Sequence, residues 1–386
     1  MSKETTVSAL AFIGVIVVLG GLGWAASRSG DPERDTEETG ESTKVQAYEI
    51  REIARGLSVP WAMAFTSEER ILVTERSGRL RVIENGQLLE KPLHVFSDVA
   101  AQSEAGLMGL AVDPDYSRNK YVYVVYAYGA GGGIRDKVVR FTDEGDSLSN
   151  PRTILDNIPA ASNHAGSRIK FGPDGKLYVT TGDATDRSIA QDRNNLGGKI
   201  LRANADGSVP SDNPFPGSPV WSYGHRNPQG IGWSEDGDLY ASEHGPSGFD
   251  GPGGGDEINH IQKGENYGWP LVSHENRRER TVAPLTLWTP AEAPSGLLVY
   301  SGKAFPQWKG NIFVGALRGT SLWRLTLEGD DTIVGREEFP GVSYGRIREV
   351  VEGPDGAIYF STSNRDGRGN PAATDDRIFA IVPKDK

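Results

Sequence analysis

From Tyr48 onward, short runs of aromatic and β-branched residues alternate with turns rich in Asp, Gly and Pro. The same phrase returns at 67–83, 113–129, 172–183, 234–245, 309–325 and 353–364. In Leu177-Tyr178-Val179-Thr180 the pattern has a period of two, which marks a β-strand rather than a helix. Gly-Pro-Asp-Gly, at 172–175 and again at 353–356, suits a tight turn because proline presets φ at its second position. The units begin roughly 45–75 residues apart, which leaves room for about four strands each, the size of a propeller blade. The expectation is an all-β, six-bladed propeller over 48–386. A two-sheet sandwich would not need six copies of one phrase.

Upstream the pattern changes twice. Val7–Ala26 is nearly unbroken apolar sequence, and twenty residues of helix reach roughly 30 Å, about the thickness of a bilayer's hydrocarbon core. Residues 1–29 are therefore expected to form a transmembrane anchor helix. The rival reading is a signal peptide, although its apolar stretch is usually shorter, about 7–15 residues, and Trp24-Ala25-Ala26-Ser27 is a mediocre cleavage site. Residues 30–47 form an acidic linker: 31–45 carries six acids against two bases and has almost nothing to bury. Membrane contact is expected through the N-terminal segment only, with the propeller outside the cytoplasm, or secreted if the segment is cleaved.

Composition narrows the class. With 49 Gly and 23 Pro in 386 residues, helical bundles and coiled coils are excluded. The net charge of −11 and the scatter of Lys and Arg argue against a nucleic-acid partner, which needs a concentrated positive face. The absence of cysteine removes disulfides, thiolate metal sites and Cys-attached haem.

Polar residues suited to chemistry gather in the turns around the strands. They are Asn163-His164, Thr181-Gly182-Asp183, Tyr223 to Gly230, Ser242 to Pro246, Asp256-Glu257, Asn266 to Pro270, and Arg346-Ile347-Arg348. At one end of a propeller such loops converge on the axis, so segments distant in sequence can build one pocket. Each also has a plain structural reading. A loop histidine is more often a surface hydrogen-bonding residue, the two arginines can salt-bridge to neighbours, and Asp256-Glu257 can be a solvated turn. The Gly-rich stretch 248–256 has no helix after it and is no phosphate loop.

Six segments together carry a resemblance: NHAGSRIKFGPDGKLYVTTGD, YGHRNPQGIGW, SEHGP, DEINHIQKGENYGWP, APSG and RIREVVEGPDG. In wording, order and spacing they resemble the quinoprotein glucose/sorbosone dehydrogenase family, and within it the soluble aldose sugar dehydrogenases that use pyrroloquinoline quinone (PQQ). The resemblance implies PQQ- and calcium-dependent oxidation of an aldose to its lactone, by base-assisted hydride transfer to the quinone. His164 matches the family's general base, and Asp183, nineteen residues later, the carboxylate that orients it and borders the substrate. Arg226 and Asn227 match the pair over the reactive carbonyl edge. Arg346 and Arg348 match the carboxylate clamp, and Arg318 falls where the family usually has Lys. The carbonyls of Gly245 and Pro246 would hold the calcium ion that touches the quinone, and Glu257 and Tyr267 a second ion. Glu104 stands where some members have a substrate-binding Gln, and Ser247–Gly255 is longer than the family's usual link. The electron acceptor is left unidentified. A calcium-dependent propeller lactonase and a non-enzymatic binding propeller remain as alternatives.

Overall fold

The computed structural model describes residues 46–329 and 332–384. The anchor and nearly all of the acidic linker lie outside these residues. Among the described residues no helix is long and apolar enough to cross a membrane.

Six antiparallel sheets stand around one axis. Their innermost strands are Pro60–Ser67, Leu107–Val112, Gly166–Phe171, Pro228–Trp233, Pro294–Val299 and Ile347–Glu352, for blades 1 to 6 in chain order. Each innermost strand touches the next, and the sixth returns to the first. The ring is closed by the chain's own beginning: Tyr48–Arg55 pairs with Arg377–Pro383 as the outermost strand of blade 6, setting Ile50 opposite Ile381. Closure removes the exposed edges that an open sheet would present.

Each repeated phrase opens on the turn from an innermost strand to the second strand and includes that strand, running on into the third strand at 67–83 and 309–325. In blade 3 Gly172 N–H donates to the Lys176 carbonyl (2.9 Å), and Gly175 takes the left-handed conformation that the turn requires (φ +70°). Asp174 then accepts from Lys176 N–H (3.0 Å) and from the Tyr178 hydroxyl (3.0 Å). Blade 6 repeats the device, with Asp355 accepting from Ala357 N–H (3.1 Å) and Tyr359 (3.1 Å).

The two-residue period has a consequence for packing. Alternate residues of one strand enter different cores, as in blade 2, where Val122, Val124 and Tyr126 pack toward blade 1 and Tyr123 and Val125 toward blade 3. Six such apolar clusters fill the six blade interfaces. At about 1.5–3 kcal/mol for each fully buried large aliphatic side chain, these interfaces dominate the stability of the ring. They also free the loop ends to carry polar groups.

Candidate functional site

The start of each innermost strand lies beside the end of the second strand, as Gly166 lies beside Thr181 and Pro228 beside Glu243. At that end, away from the Gly-Pro-Asp-Gly turns, loops of blades 2 to 6 enclose a cavity of about 440 Å³. The loops entering the innermost strands bring Glu104, His164, Arg226 and Arg346 to its wall, and the innermost strand of blade 6 brings Arg348. The loops leaving the second strands bring Gly245, Pro246 and Arg318. Four other expected residues lie off this wall: Asp183 and Asn227 behind it, Glu257 and Tyr267 in a separate small void.

His164 sits in the left-handed region (φ +56°), a conformation its neighbours enforce. Its N–H donates to Glu104 Oε2 (3.1 Å), and its carbonyl accepts from Ala184 (3.3 Å). A Cβ on Gly182 would overlap that carbonyl, so glycine is required there. Nδ1 of the imidazole donates to Asp183 Oδ1 across 2.7 Å. Asp183 is filled by two further donors, Thr185 N–H on Oδ1 (2.8 Å) and the Trp269 indole on Oδ2 (2.8 Å). With Nδ1 carrying the proton, Nε2 holds a lone pair and has no protein partner among the described residues. This is the arrangement of a general base.

The cations differ in their pairing. Arg346 is neutralised by Asp366 (Nε, 2.8 Å) and also bonds the Leu317 carbonyl (2.8 Å). Arg226 is buried and commits Nε to Asp250 (2.7 Å), Nη1 to the His244 carbonyl (3.3 Å) and Nη2 to Ser247 (3.0 Å). Arg318 is exposed and makes no side-chain hydrogen bond or ion pair among the described residues. Arg348 is buried with no carboxylate partner among the described residues. Its Nη1 donates to Gln229 Oε1 (2.9 Å), its Nε has no acceptor, and desolvation pushes the guanidinium down to about 9. His244, on the same wall, is pushed down to about 4 by desolvation and is neutral, with Nε2 unpartnered. Asn227 turns its oxygen to the Gly166 N–H (3.0 Å) and leaves Nδ2 without an acceptor.

At the mouth, Glu104 Oε1 pairs with Arg368 (2.8 Å), which also donates to Asn163 (3.1 Å). Desolvation opposes the charge on Glu104, but Arg368, the His164 N–H and, in the acid range where it is protonated, His244 outweigh it and hold the carboxyl at about 2.

Glu257 and Tyr267 share with Glu243, Gly245 and Pro246 a void of about 10 Å³, room for one water or ion. Desolvation, with Glu243 and Asp256 nearby, pushes Glu257 up to about 8. The Tyr267 hydroxyl is already engaged, donating to the His260 carbonyl (2.6 Å) and accepting from Gln262 N–H (2.7 Å). Among the described residues no three acidic or histidine side chains are grouped to hold a metal, so any cation here would lean on backbone carbonyls.

Several contributors escaped sequence reasoning. Asp250, Asp366 and Arg368 act through partners tens to hundreds of residues away, and no spacing marks them; Trp269 and Gln229 lie in segments singled out above but were given no role there. The length of the 247–255 segment was the one visible signal for Asp250.

Comparison with known proteins gives the family of the chain. The family model described as Glucose / Sorbosone dehydrogenase matches residues 57–370. Aldose sugar dehydrogenase YliI of Escherichia coli (strain K12) is 34% identical over 338 residues, covering 81% of this chain and 89% of its own. Quinoprotein glucose dehydrogenase B of Acinetobacter calcoaceticus is 26% identical over 422 residues, covering 84% and 87%. Among solved structures, the PQQ-bound aldose sugar dehydrogenase of Streptomyces coelicolor is similar with a TM-score of 0.78 and 35% identity, over 87% of this chain and 98% of that one.

Proposed function

The chain belongs to the glucose/sorbosone dehydrogenase family, and from that premise we propose that it is a PQQ-dependent dehydrogenase oxidising an aldose at its anomeric carbon to the lactone. The observation that carries this reading is one cavity that pairs a poised base, His164 Nε2, with a buried guanidinium, Arg348, that has no ion-pair partner among the described residues.

The donor set fits a polycarboxylate quinone. Arg348 Nε, Asn227 Nδ2 and His244 Nε2 are buried polar atoms without partners at or beside the cavity, and Arg318 is a further free cation on its wall. Buried donors are seldom left unmet unless a ligand meets them. Arg348, Arg318 and Arg226 would hold the cofactor, with Asn227 buried behind the wall and Arg346 already neutralised by Asp366, contributing shape more than charge. When bound, the quinone supplies the acceptor for the two electrons leaving the sugar. His164 Nε2 takes the anomeric hydroxyl proton, and Asp183 stabilises the imidazolium through Nδ1–H. Trp269 and Thr185 keep the Asp183 carboxylate aimed at the ring. Glu104, fixed by Arg368, borders the substrate. For calcium, the carbonyls of Gly245 and Pro246 would supply hard oxygen donors to one ion, and the carboxylate of Glu257, beside the already engaged Tyr267 hydroxyl, to a second. A cation beside Glu257 would relieve the repulsion from Glu243.

The test is dye reduction by purified apo-protein. Aldose-dependent reduction is expected only when quinone and Ca²⁺ are both added. Activity with NAD alone, and none with quinone, sinks the reading. The apolar run Val7–Ala26 supports a membrane anchor. Fractionation of the full chain against one starting at Gln46 tests it, with only the full chain expected in the membrane pellet.

A further inference from the structure

The segment Gly245–Gly255 reads Gly-Pro-Ser-Gly-Phe-Asp-Gly-Pro-Gly-Gly-Gly, and only Ser247, Phe249 and Asp250 are neither glycine nor proline. All three reach the site. Ser247 Oγ accepts from Arg226 Nη2 (3.0 Å) and Asp250 Oδ2 from Arg226 Nε (2.7 Å). The Phe249 ring lies over the His164 imidazole, centroids 5.8 Å apart and planes 25° apart. Asp250 Oδ1 also accepts from Ser247 N–H (2.9 Å), and its carbonyl accepts from Arg187 (3.2 Å), which ties the segment to the loop behind Asp183. A chain so rich in glycine loses much backbone freedom when it orders, and it has no other side chains to compensate.

Two features need an explanation. Phe249 is 69% exposed, a large apolar ring at the edge of a cavity otherwise walled mainly by charged groups and backbone. A pyranose presents a face of C–H bonds that suits such a ring, and covering it would remove apolar surface from water. Arg226 has five N–H donors, of which this segment and the His244 carbonyl hold three, so its rotation is set from outside the cavity.

Resting on the function proposed above, we infer that residues 246–253 form a strap that sets substrate specificity. Phe249 is the stacking face for the sugar ring beside His164, and Asp250 is the positioning residue for Arg226. The strap joins the proton-accepting side of the site in blade 3 to the cationic side in blade 4.

The experiment uses the quinone- and calcium-loaded protein with D-glucose. Phe249→Ala is expected to raise KM for glucose at least ten-fold while kcat stays within about three-fold, and Phe249→Trp to restore KM. Asp250→Asn is expected to lower kcat at least ten-fold with glucose KM little changed, and Asp250→Glu to recover part of it. Melting temperatures show whether each variant is folded, and tryptophan-fluorescence titration gives its quinone Kd, which Phe249→Ala should leave within about three-fold. Saturation-transfer NMR reads contact of the glucose C–H protons with the protein independently of turnover. Loss of that contact in Phe249→Ala upholds the strap even if the wild type reduces no dye, in which case the proposed function alone fails. An unchanged KM and an unchanged transfer signal in folded Phe249→Ala overturn the stacking role. Unchanged kcat in folded Asp250→Asn overturns the positioning role. A wild type to which glucose does not bind overturns both.

Discussion

Blades 3 and 4 each carry a histidine just before the innermost strand and a carboxylate at or just past the end of the second, nineteen and eighteen residues later. In both, Nδ1 bonds to the carboxylate, at 2.7 Å for His164–Asp183 and 2.8 Å for His225–Glu243. The pairs part at the other nitrogen. His225 Nε2 meets the Ser222 hydroxyl (2.8 Å), and its ring is sealed and stacked on Tyr267 at 4.7 Å. His164 lines the cavity with Nε2 unpartnered. One sequence device thus yields a base in one blade and a strut in the next, because a base needs a nitrogen that the protein leaves free. The strut in turn braces the loop that carries Arg226, since Glu243 also accepts the Arg226 backbone N–H.

The contrast breaks most readily at His164. His164→Ala or →Gln should lower kcat by roughly 10²–10⁴-fold, the usual worth of a positioned base, with far less change in quinone affinity. Near wild-type turnover at saturating quinone, calcium and sugar would abolish the distinction between the two histidines.

His225→Ala should show the opposite profile. It leaves the buried Glu243 without its Nδ1 donor, so unfolding in urea should show a loss of about 2–4 kcal/mol. Turnover of the molecules that remain folded should fall much less than in His164→Ala. Equal losses of turnover would mean that both rings act in the chemistry.

The same logic separates two arginines near Trp61. Arg168 is buried against Glu349, whereas Arg348, also buried, has no ion-pair partner among the described residues. Arg348→Met should weaken quinone binding by about 10–100-fold, the worth of hydrogen bonds to a charged group. It should also raise the melting temperature of the apo-protein, since an uncompensated buried charge is removed. A lower melting temperature would show that Arg348 is structural.

The smallest effect concerns two buried aspartates. Asp183 has three donors, but Asp136 has only Ser167 (2.8 Å) and one bare oxygen. Desolvation, only partly opposed by Ser167, pushes Asp136 up to about 7. Between about pH 4 and pH 7 the folded chain keeps a proton that the unfolded chain has lost, so stability falls as pH rises through that window and levels off above it. Asp136→Asn should remove this slope, gaining at least about 1 kcal/mol on wild type at pH 8 relative to pH 5 in denaturant titrations. Parallel curves for the two proteins would refute it.

Much of the architecture was legible because its causes are local. The Asp174–Tyr178 and Asp355–Tyr359 turns are written within five residues each, and strand alternation in Tyr121–Ala130 already sorts side chains to two faces. The His164–Asp183 pair was reached through the family resemblance alone, and the structure joins its members across one hairpin. What escaped was pairing across blades. Asn227 faces Gly166 rather than the cavity, Arg346 is neutralised by Asp366, and Asp183 is filled by Trp269, eighty-six residues away.

Taken alone, the chain's pattern determines six strand-and-turn units with two apolar faces each, and so a ring that buries those faces between blades. Short-range sterics and the hydrophobic effect suffice for that. Only the closed ring decides which polar atoms are matched and which are left over. Arg168 finds Glu349 across 181 residues, while Arg348 finds only the neutral Gln229 across 119. Whether a buried charge is compensated depends on what lies within a few ångströms, and in a propeller those neighbours come from other blades.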